Sequence, residues 1–330
     1  MSTLTATQPT LLDASRLFSS DGKPLPMAEL LTQQNPVLDD IPWMESNLTN
    51  GHRMSTRSGL PTAAFRKLNA GVAASKSRYV DVTESCGIMS SIGQIDKKLV
   101  DLAGDKSFFR VTENSGHITS MNHTFASTLF YGDTDLDPEK FLGIAPRYSD
   151  ITGPENAENI IDAGGNDTDL TSIYLVGWGQ EGAMGIFPKG SQAGLKHTAL
   201  DDELVSDGNG GQYLAVRDLF EWDCGIAVKD WRNIVRIANI DISAMLKTAA
   251  TGADLVDLMV QACELINAPD AVKLAWYMPR SVRSMLRRQI TNKANVWLSM
   301  GEVSGRKALM FDDIPCRRVD AILSGETRVV

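Results

Sequence analysis

Six residues, Gly177-Trp178-Gly179-Gln180-Glu181-Gly182, match the glycine spacing of a dinucleotide-binding turn. That chemistry needs a strand before the turn and a helix after it, so that the helix N-terminus meets the pyrophosphate. Ala183-Met184-Gly185-Ile186-Phe187 followed by Pro188 reads instead as a second strand. Trp178 is also bulky for a turn that hugs phosphate, so a β-turn between strands is the better reading. The histidines are His52, His117, His123 and His197. His117 and His123 stand six apart, which puts them on different sides of a helix; a zinc pair needs i, i+4. Asp201-Asp202-Glu203 and Asp312-Asp313 read as solvated turns. The four cysteines, Cys86, Cys224, Cys263 and Cys316, form no CxxC pair and read as reduced thiols. There is no phosphate loop and no GxSxG elbow; a triad assembled from distant residues stays open. No residue is assigned as catalytic, cofactor-binding or metal-binding.

Basic residues are the other chemical signal. Arg280, Arg283, Arg287 and Arg288 sit on a helix expected from Pro279 to Ile290, with the first three on one face. Such a helix suits a nucleic-acid reader, but it lacks the aromatic interleaving of an RNA platform. Arg53, Arg57, Arg66, Lys67, Lys76 and Arg78 crowd a second region. The chain as a whole is acidic: 32 Lys and Arg against 41 Asp and Glu give −9 over 330 residues. That balance argues against a protein that grips nucleic acid electrostatically. No run of 18 apolar residues is present for a membrane span, and the N-terminus lacks the basic start and apolar stretch of a secretory signal.

The elements that must carry these residues follow from patterning. Residues 1–48 read as an arm, rich in Ser, Thr, Gln and Pro, with a short helix at Met27–Gln33. Leu38, Ile41 and Trp43 are its candidate anchors onto a neighbour. Residues 49–98 read as a long hairpin, with strand-like runs at Thr62–Leu68 and Ser77–Ser85 around a turn. Val111, Ile118, Met121, Phe125 and Leu129 recur at helical spacing and predict a helix over 106–131, stopped by Gly132 in a left-handed cap. Asp137-Pro138 predicts a short helix start. Residues 150–171 read as a polar loop. Strands are expected at 172–176, 183–187, 212–228, 273–278 and 314–322, and a hairpin at 296–298 and 307–311. A second helix is expected at Thr251–Asn267. This is an α+β chain without regular βαβ alternation.

Two segments carry a resemblance. Met121-Asn122-His123-Thr124-Phe125-Ala126-Ser127-Thr128-Leu129-Phe130-Tyr131-Gly132-Asp133 is one. Pro138-Glu139-Lys140-Phe141-Leu142-Gly143-Ile144-Ala145-Pro146-Arg147-Tyr148 is the other. With Thr171–Gly179 and Asp230-Trp231-Arg232, they are similar to segments of tailed-phage major capsid proteins, as in short-tailed phages such as the Bordetella phage. The resemblance spans roughly residues 40 to 325. It implies the Johnson fold (Hong Kong 97-type), with N-terminal arm, extended β-hairpin loop, peripheral domain with a long spine helix, and axial domain. On this chain the parts fall at 1–48 (arm), 49–98 (extended loop), 99–150 (peripheral domain, spine helix 106–131), 151–245 (peripheral-domain sheet and loops), 246–305 (axial domain) and 306–330 (C-terminal return strand).

The resemblance implies a subunit that self-assembles into hexamers and pentamers of an icosahedral shell around double-stranded DNA. Its partners would be many copies of itself, with scaffolding, portal and decoration proteins. Packaged DNA would meet it only through weak non-specific contact, and no membrane is involved. It would reside in the virion capsid after assembly in a bacterial cytoplasm. It would not be an enzyme. Leu38, Ile41, Trp43, Arg57, Arg66, Lys67 and Arg78 are the candidate inter-subunit contacts. Two rival readings stand beside it: a DNA- or RNA-binding module using helix 279–290, and an α+β enzyme of unrecognised type.

Overall fold

The computed structural model describes residues 35–102, 106–206, 210–245, 252–292, 298–303 and 306–330, together with Pro9 and Gln33. Most of the expected arm, including the helix at Met27–Gln33, lies outside the described residues, as does part of the turn at 207–211.

The strands are β1 (Trp43–Glu45), β2 (Gly51–Gly59), β3 (Arg78–Ser85), β4 (Gly87–Asp96), β5 (Ile160–Asp162), β6 (Leu170–Trp178), β7 (Ala183–Phe187), β8 (Lys196–Ser206), β9 (Gln212–Val228), β10 (Ile234–Asp241), β11 (Lys273–Met278), β12 (Leu298–Val303), β13 (Arg306–Phe311) and β14 (Ile314–Arg318). The helices are α1 (Lys97–Leu102), α2 (Lys106–Tyr131), α3 (Ile144–Arg147), α4 (Leu255–Leu265) and α5 (Arg280–Asn292). All strands but β2 and β3 join one mixed sheet, with the central order β14-β11-β6-β7-β9-β4 and β10 beside β6. β2 and β3 pair only with each other.

The sheet is covered on both faces where it is widest. Residues of β6 are buried without exception, as expected of a strand sandwiched between layers. Period-two alternation sorts its side chains. Tyr174, Val176 and Trp178 join a core with Met121, Phe125, Leu129 and Phe130 of α2. Ile173 and Leu175 join a second core with Leu255, Val256 and Met259 of α4 and Val282 and Leu286 of α5. β11 divides in the same way, with Ala275 and Tyr277 on the α2 side and Trp276 and Met278 on the other. An aromatic cluster holds α2 to the sheet. Phe125 stacks on Trp222 with ring centroids 4.6 Å apart, and Trp43 and Phe141 lie within 6.0 Å of Phe125.

The structure corrects several expectations. Thr62–Leu68 is not a strand: residues 60–77 form an exposed loop. The run opposite, Asn69–Ser75, is mostly small residues, which offer few side chains for cross-strand pairs. Asp137–Phe141 is a turn, not a helix; the helical turn comes later, at α3. The loop at 150–171 contains a short 3₁₀ turn and β5. Asp201–Glu203 lies on β8, paired along β9, not in a turn. β4 pairs along β9 and does not continue the hairpin. The last strand stops at Arg318. Gly177–Gly182 does join two strands, β6 and β7.

Gly132 ends α2 for a reason other than the one expected. Its φ is not positive. It is glycine because a Cβ would lie 2.4 Å from the Phe141 carbonyl oxygen and 2.6 Å from that of Thr128. Gly143 meets it from the other side, donating its N–H to Gly132 O at 2.7 Å. A Cβ on Gly143 would reach Thr128 O at 2.7 Å and Gly132 N at 2.8 Å. These are backbone atoms that cannot step aside. Gly143→Ala is therefore expected to cost about 1–3 kcal/mol of overpacking strain, measurable as a lower urea midpoint; an unchanged midpoint would show that the crossing has slack.

Candidate assembly surfaces

The β2–β3 hairpin is the least buried part of the described chain. β3 is exposed along its length except at Glu84. Each strand reaches about 30 Å, and the loop of residues 60–77 extends the projection. Its base is fixed. Met54 is buried with Met184, Ile186 and Ala227. Glu84 is buried and accepts from both terminal nitrogens of Arg147, each at 2.6 Å. Arg147 in turn donates to the carbonyls of Gly143 and Leu142. One guanidinium thus ties the hairpin base to the start of α3.

Outward from the base the hairpin is charged and apolar at once. Arg53 bonds Asp81 across the strands. Arg57 lies 5.5 Å from the centroid of the Tyr79 ring and donates to its hydroxyl. The tip is shaped locally: Lys67 O accepts from Ala70 N, Asn69 takes φ +65, and Thr62 and Ser75 bond across the loop. Arg66, Lys67 and Arg78 have no ionic partner among the described residues. Leu60, Phe65 and Leu68 stand almost wholly in solvent, with Phe65 at 109% relative exposure. The basic residues were legible as a surplus, whereas these apolar neighbours were absorbed into the expected strand. The overlooked signal is apolar residues in a segment where Pro61 and small residues forbid a strand.

The structure packs the expected arm anchors on their own subunit. Ile41 is buried at 7% exposure. Leu38 and Trp43 are half-buried against the α2-side core. β1 pairs in parallel with β7, placing Trp43 opposite Gly185, whose missing Cβ leaves room for the indole. The fully buried Asp40 carboxylate accepts from Arg317 at 2.7 Å, from the Tyr277 hydroxyl at 3.0 Å and from Lys273 at 3.2 Å. A side chain already removed from water, as Ile41 is, has little left to gain from a neighbour.

Two histidine clusters bear on chemistry. Ser91 Oγ lies 2.8 Å from His117 Nδ1, and His197 Nε2 lies 2.8 Å from Asp218 Oδ1. A triad needs hydroxyl and carboxylate on one imidazole. Here the two halves sit on different histidines with the Phe220 ring stacked between them. The cluster instead holds α2 to β9: Asp218 also accepts two bonds from Arg110, at 2.8 and 2.7 Å, and one from Asn114 at 3.1 Å. Burial pushes the Asp218 carboxyl up, but these bonds outweigh it and bring it down to about 2. With an unfolded value near 3.9, the stabilisation is fully present above about pH 4 and is lost as pH falls toward 2. Asp218→Asn is expected to remove that acid-labile part, on the order of 2 kcal/mol, so the variant's midpoint changes less than the parent's between pH 5 and pH 3. Parallel pH profiles would sink the assignment.

Among the described residues, Asp167, Asp169 and Asp241, the last at the end of β10, bring carboxylate oxygens within 4.8 Å of one another. Asp241 is already engaged by the Ala244 N–H and the Ser243 hydroxyl. Burial pushes the thiols of Cys86 and Cys263 up to about 11 and that of Cys316 up to about 12, which leaves little thiolate for chemistry. No helix among the described residues is long and apolar enough to cross a membrane.

The comparisons with known proteins agree with this geometry. The family model described as major capsid protein GP7 matches residues 19–330. A chain in the near-atomic cryo-EM structure of bacteriophage Epsilon15 is 35% identical, with a TM-score of 0.78, over 100% of this chain and 99% of that chain. The bacteriophage JBD30 capsid is similar in fold at 8% identity, with a TM-score of 0.52, over 88% of this chain and 92% of that chain. No curated protein matches the sequence.

Proposed function

The chain belongs to the family of the major capsid protein GP7 and is a shell-forming subunit of a tailed phage; from that premise we propose that the β2–β3 hairpin of each subunit lies across its neighbour and fixes its register. The subunits gather as hexamers and pentamers of an icosahedral shell around double-stranded DNA. Scaffolding, portal and decoration proteins are the further partners, and assembly takes place in the bacterial cytoplasm. On this reading residues 49–98 contain the extended loop, 99–150 and 151–245 the peripheral domain, 246–305 the axial domain and 306–330 the return strand.

The observation that carries the hairpin's role is its tip. Leu60, Phe65 and Leu68 expose apolar surface that folding of one subunit does not bury. Large apolar side chains left in water close together along the chain mark a candidate interaction site. Arg66, Lys67 and Arg78 around it supply charge without an ionic partner among the described residues, and such charges set register and suppress wrong contacts. A stable contact buries on the order of 1,200–2,000 Å², more readily reached by a projecting arm than by a flat face.

The test is negative-stain electron microscopy and sedimentation of the purified full-length chain. Uniform hollow shells are expected. Charge reversal at Arg66 or Arg78 should lower shell yield while leaving the subunit's melting temperature unchanged, because neither residue makes an ion pair among the described residues. Normal shell yield from both variants would refute the hairpin's part while leaving the family's shell-building role standing.

A further inference from the structure

Two further charged faces lie on α4 and α5. The two helices share one apolar layer against the sheet: Leu255, Val256, Met259 and Ala262 of α4 and Val282, Leu286 and Ile290 of α5 are buried together. Gln289 of α5 ties them further, accepting from Leu255 N at 3.1 Å and donating to Ala253 O at 3.0 Å. Their outer faces are therefore free of each other, and they carry opposite charge.

On α5 the outer face shows Arg280, Ser284, Arg287 and Arg288. With Arg283 and Arg318 these line an open cleft of about 470 Å³. Among the described residues no carboxylate forms a salt bridge with Arg280, Arg283 or Arg288; Arg318 is engaged by Asp320. Arg283 is half-buried with its Nε lacking a hydrogen-bond partner. Burial, and after it the neighbouring guanidiniums Arg287 and Arg318, pull its pKa down. On α4 the outer face shows Asp257, Val260, Gln261, Glu264 and Leu265. Asp257 and Glu264 are seven residues apart and Arg280 and Arg288 eight, so each pair spans about 10–12 Å of helix. Val260 and Leu265 are exposed between and beside the acids, where arginine stems can cover them while the heads reach carboxylates.

We propose that the arginine face of α5 on one subunit docks on the acidic face of α4 on the next. The partner is a second copy of this chain. The contact is heterologous, using two different patches, and such contacts close into rings. It rests on the shell-building reading, in which copies surround a common axis. It also answers a problem of charge: subunits at −9 each repel, and a matched pair of opposite faces directs them into one arrangement. Duplex DNA is the competing occupant for the arginines, but it offers nothing to the acidic and apolar face of α4.

The experiment uses full-length chains in three forms beside the parent: Arg280→Glu with Arg288→Glu, Asp257→Arg with Glu264→Arg, and all four together. All four sites are exposed, and thermal melts of the unassembled subunits confirm folding. Each two-site variant should lose assembled material (capsomers plus shells) by more than about tenfold, since like charges then face each other across the contact. The four-site variant should recover most of it. Two-site variants that assemble like the parent, or a four-site variant no better than either, would overturn the pairing. Normal assembly of the arginine variant with reduced retained DNA would also overturn it and assign the face to nucleic acid. Failure of the shell-building reading shows separately, as a parent chain that assembles nothing, and that overturns both.

Discussion

Replacing Glu326 with Ala should lower subunit stability by about 3–5 kcal/mol, the cost of leaving one charge of a buried pair alone. Arg236 and Glu326 both have side chains only 5% exposed, and they bond at 2.7 Å. Several polar groups around them are engaged by the pair, though the buried Tyr174 hydroxyl makes no hydrogen bond. Arg236 donates to Ser172 Oγ at 3.1 Å and to the carbonyls of Ala145 and Tyr148 at 3.2 and 2.8 Å, and its guanidinium lies over the Tyr174 ring. Glu326 also accepts from the hydroxyls of Tyr131 and Ser172. The network joins α2, β6, β10, the α3 region and the chain's last residues. Ala at 326 leaves the guanidinium in the core without a counterion and both hydroxyls without their acceptor. The measurement is urea unfolding, where the midpoint should fall at constant slope. Glu326→Gln keeps an acceptor and should cost less. If Ala and Gln at this position are equally mild, the pair is not carrying the charge balance assigned to it.

The second large effect falls at the hairpin base. Glu84→Ala removes the carboxylate that Arg147 grips at 2.6 Å with both terminal nitrogens, at side-chain exposures of 6% and 15%. Breaking a buried pair of this kind costs about 3 kcal/mol. The consequence for function is larger than the loss of stability, because Arg147 also holds the carbonyls of Leu142 and Gly143. With Glu84 gone, the hairpin keeps its internal pairing but loses its fixed angle to the body. Hydrogen exchange should rise at the amides of residues 51–56 and 80–85 while α2 stays protected. Shell yield should fall even where the subunit remains folded. Unchanged exchange at the base would show that Met54 and the sheet contacts set the angle without the ion pair.

How much of this was visible in the sequence depends on how far apart the deciding partners lie. The helix at 106–131 and the strand at 212–228 have the ends that periodicity predicted, since their apolar spacing is a local property. The family was legible for a related reason: two continuous segments, 121–133 and 138–148, meet at the Gly132–Gly143 crossing, and close backbone contact tolerates few alternatives. β8 was not legible. Its acidic residues read as a turn, and only pairing with β9 makes Lys196–Ser206 extended.

The surfaces divide along the same line. Charge surplus on 53–78 and 280–288 could be counted from the chain, because net charge is a sum over residues. Which side chains are spent inside the subunit could not. Asp40 finds its partners 233 to 277 positions away, and Ile41 and Trp43 go with it into the core. Phe65, in an equally apolar-looking stretch, is left wholly in water. Sequence alone determined the fold class, the long helix, the basic segments and the family. Only the tertiary structure decided which apolar and charged groups remained for a neighbour, because burial is set by where the chain's distant parts meet.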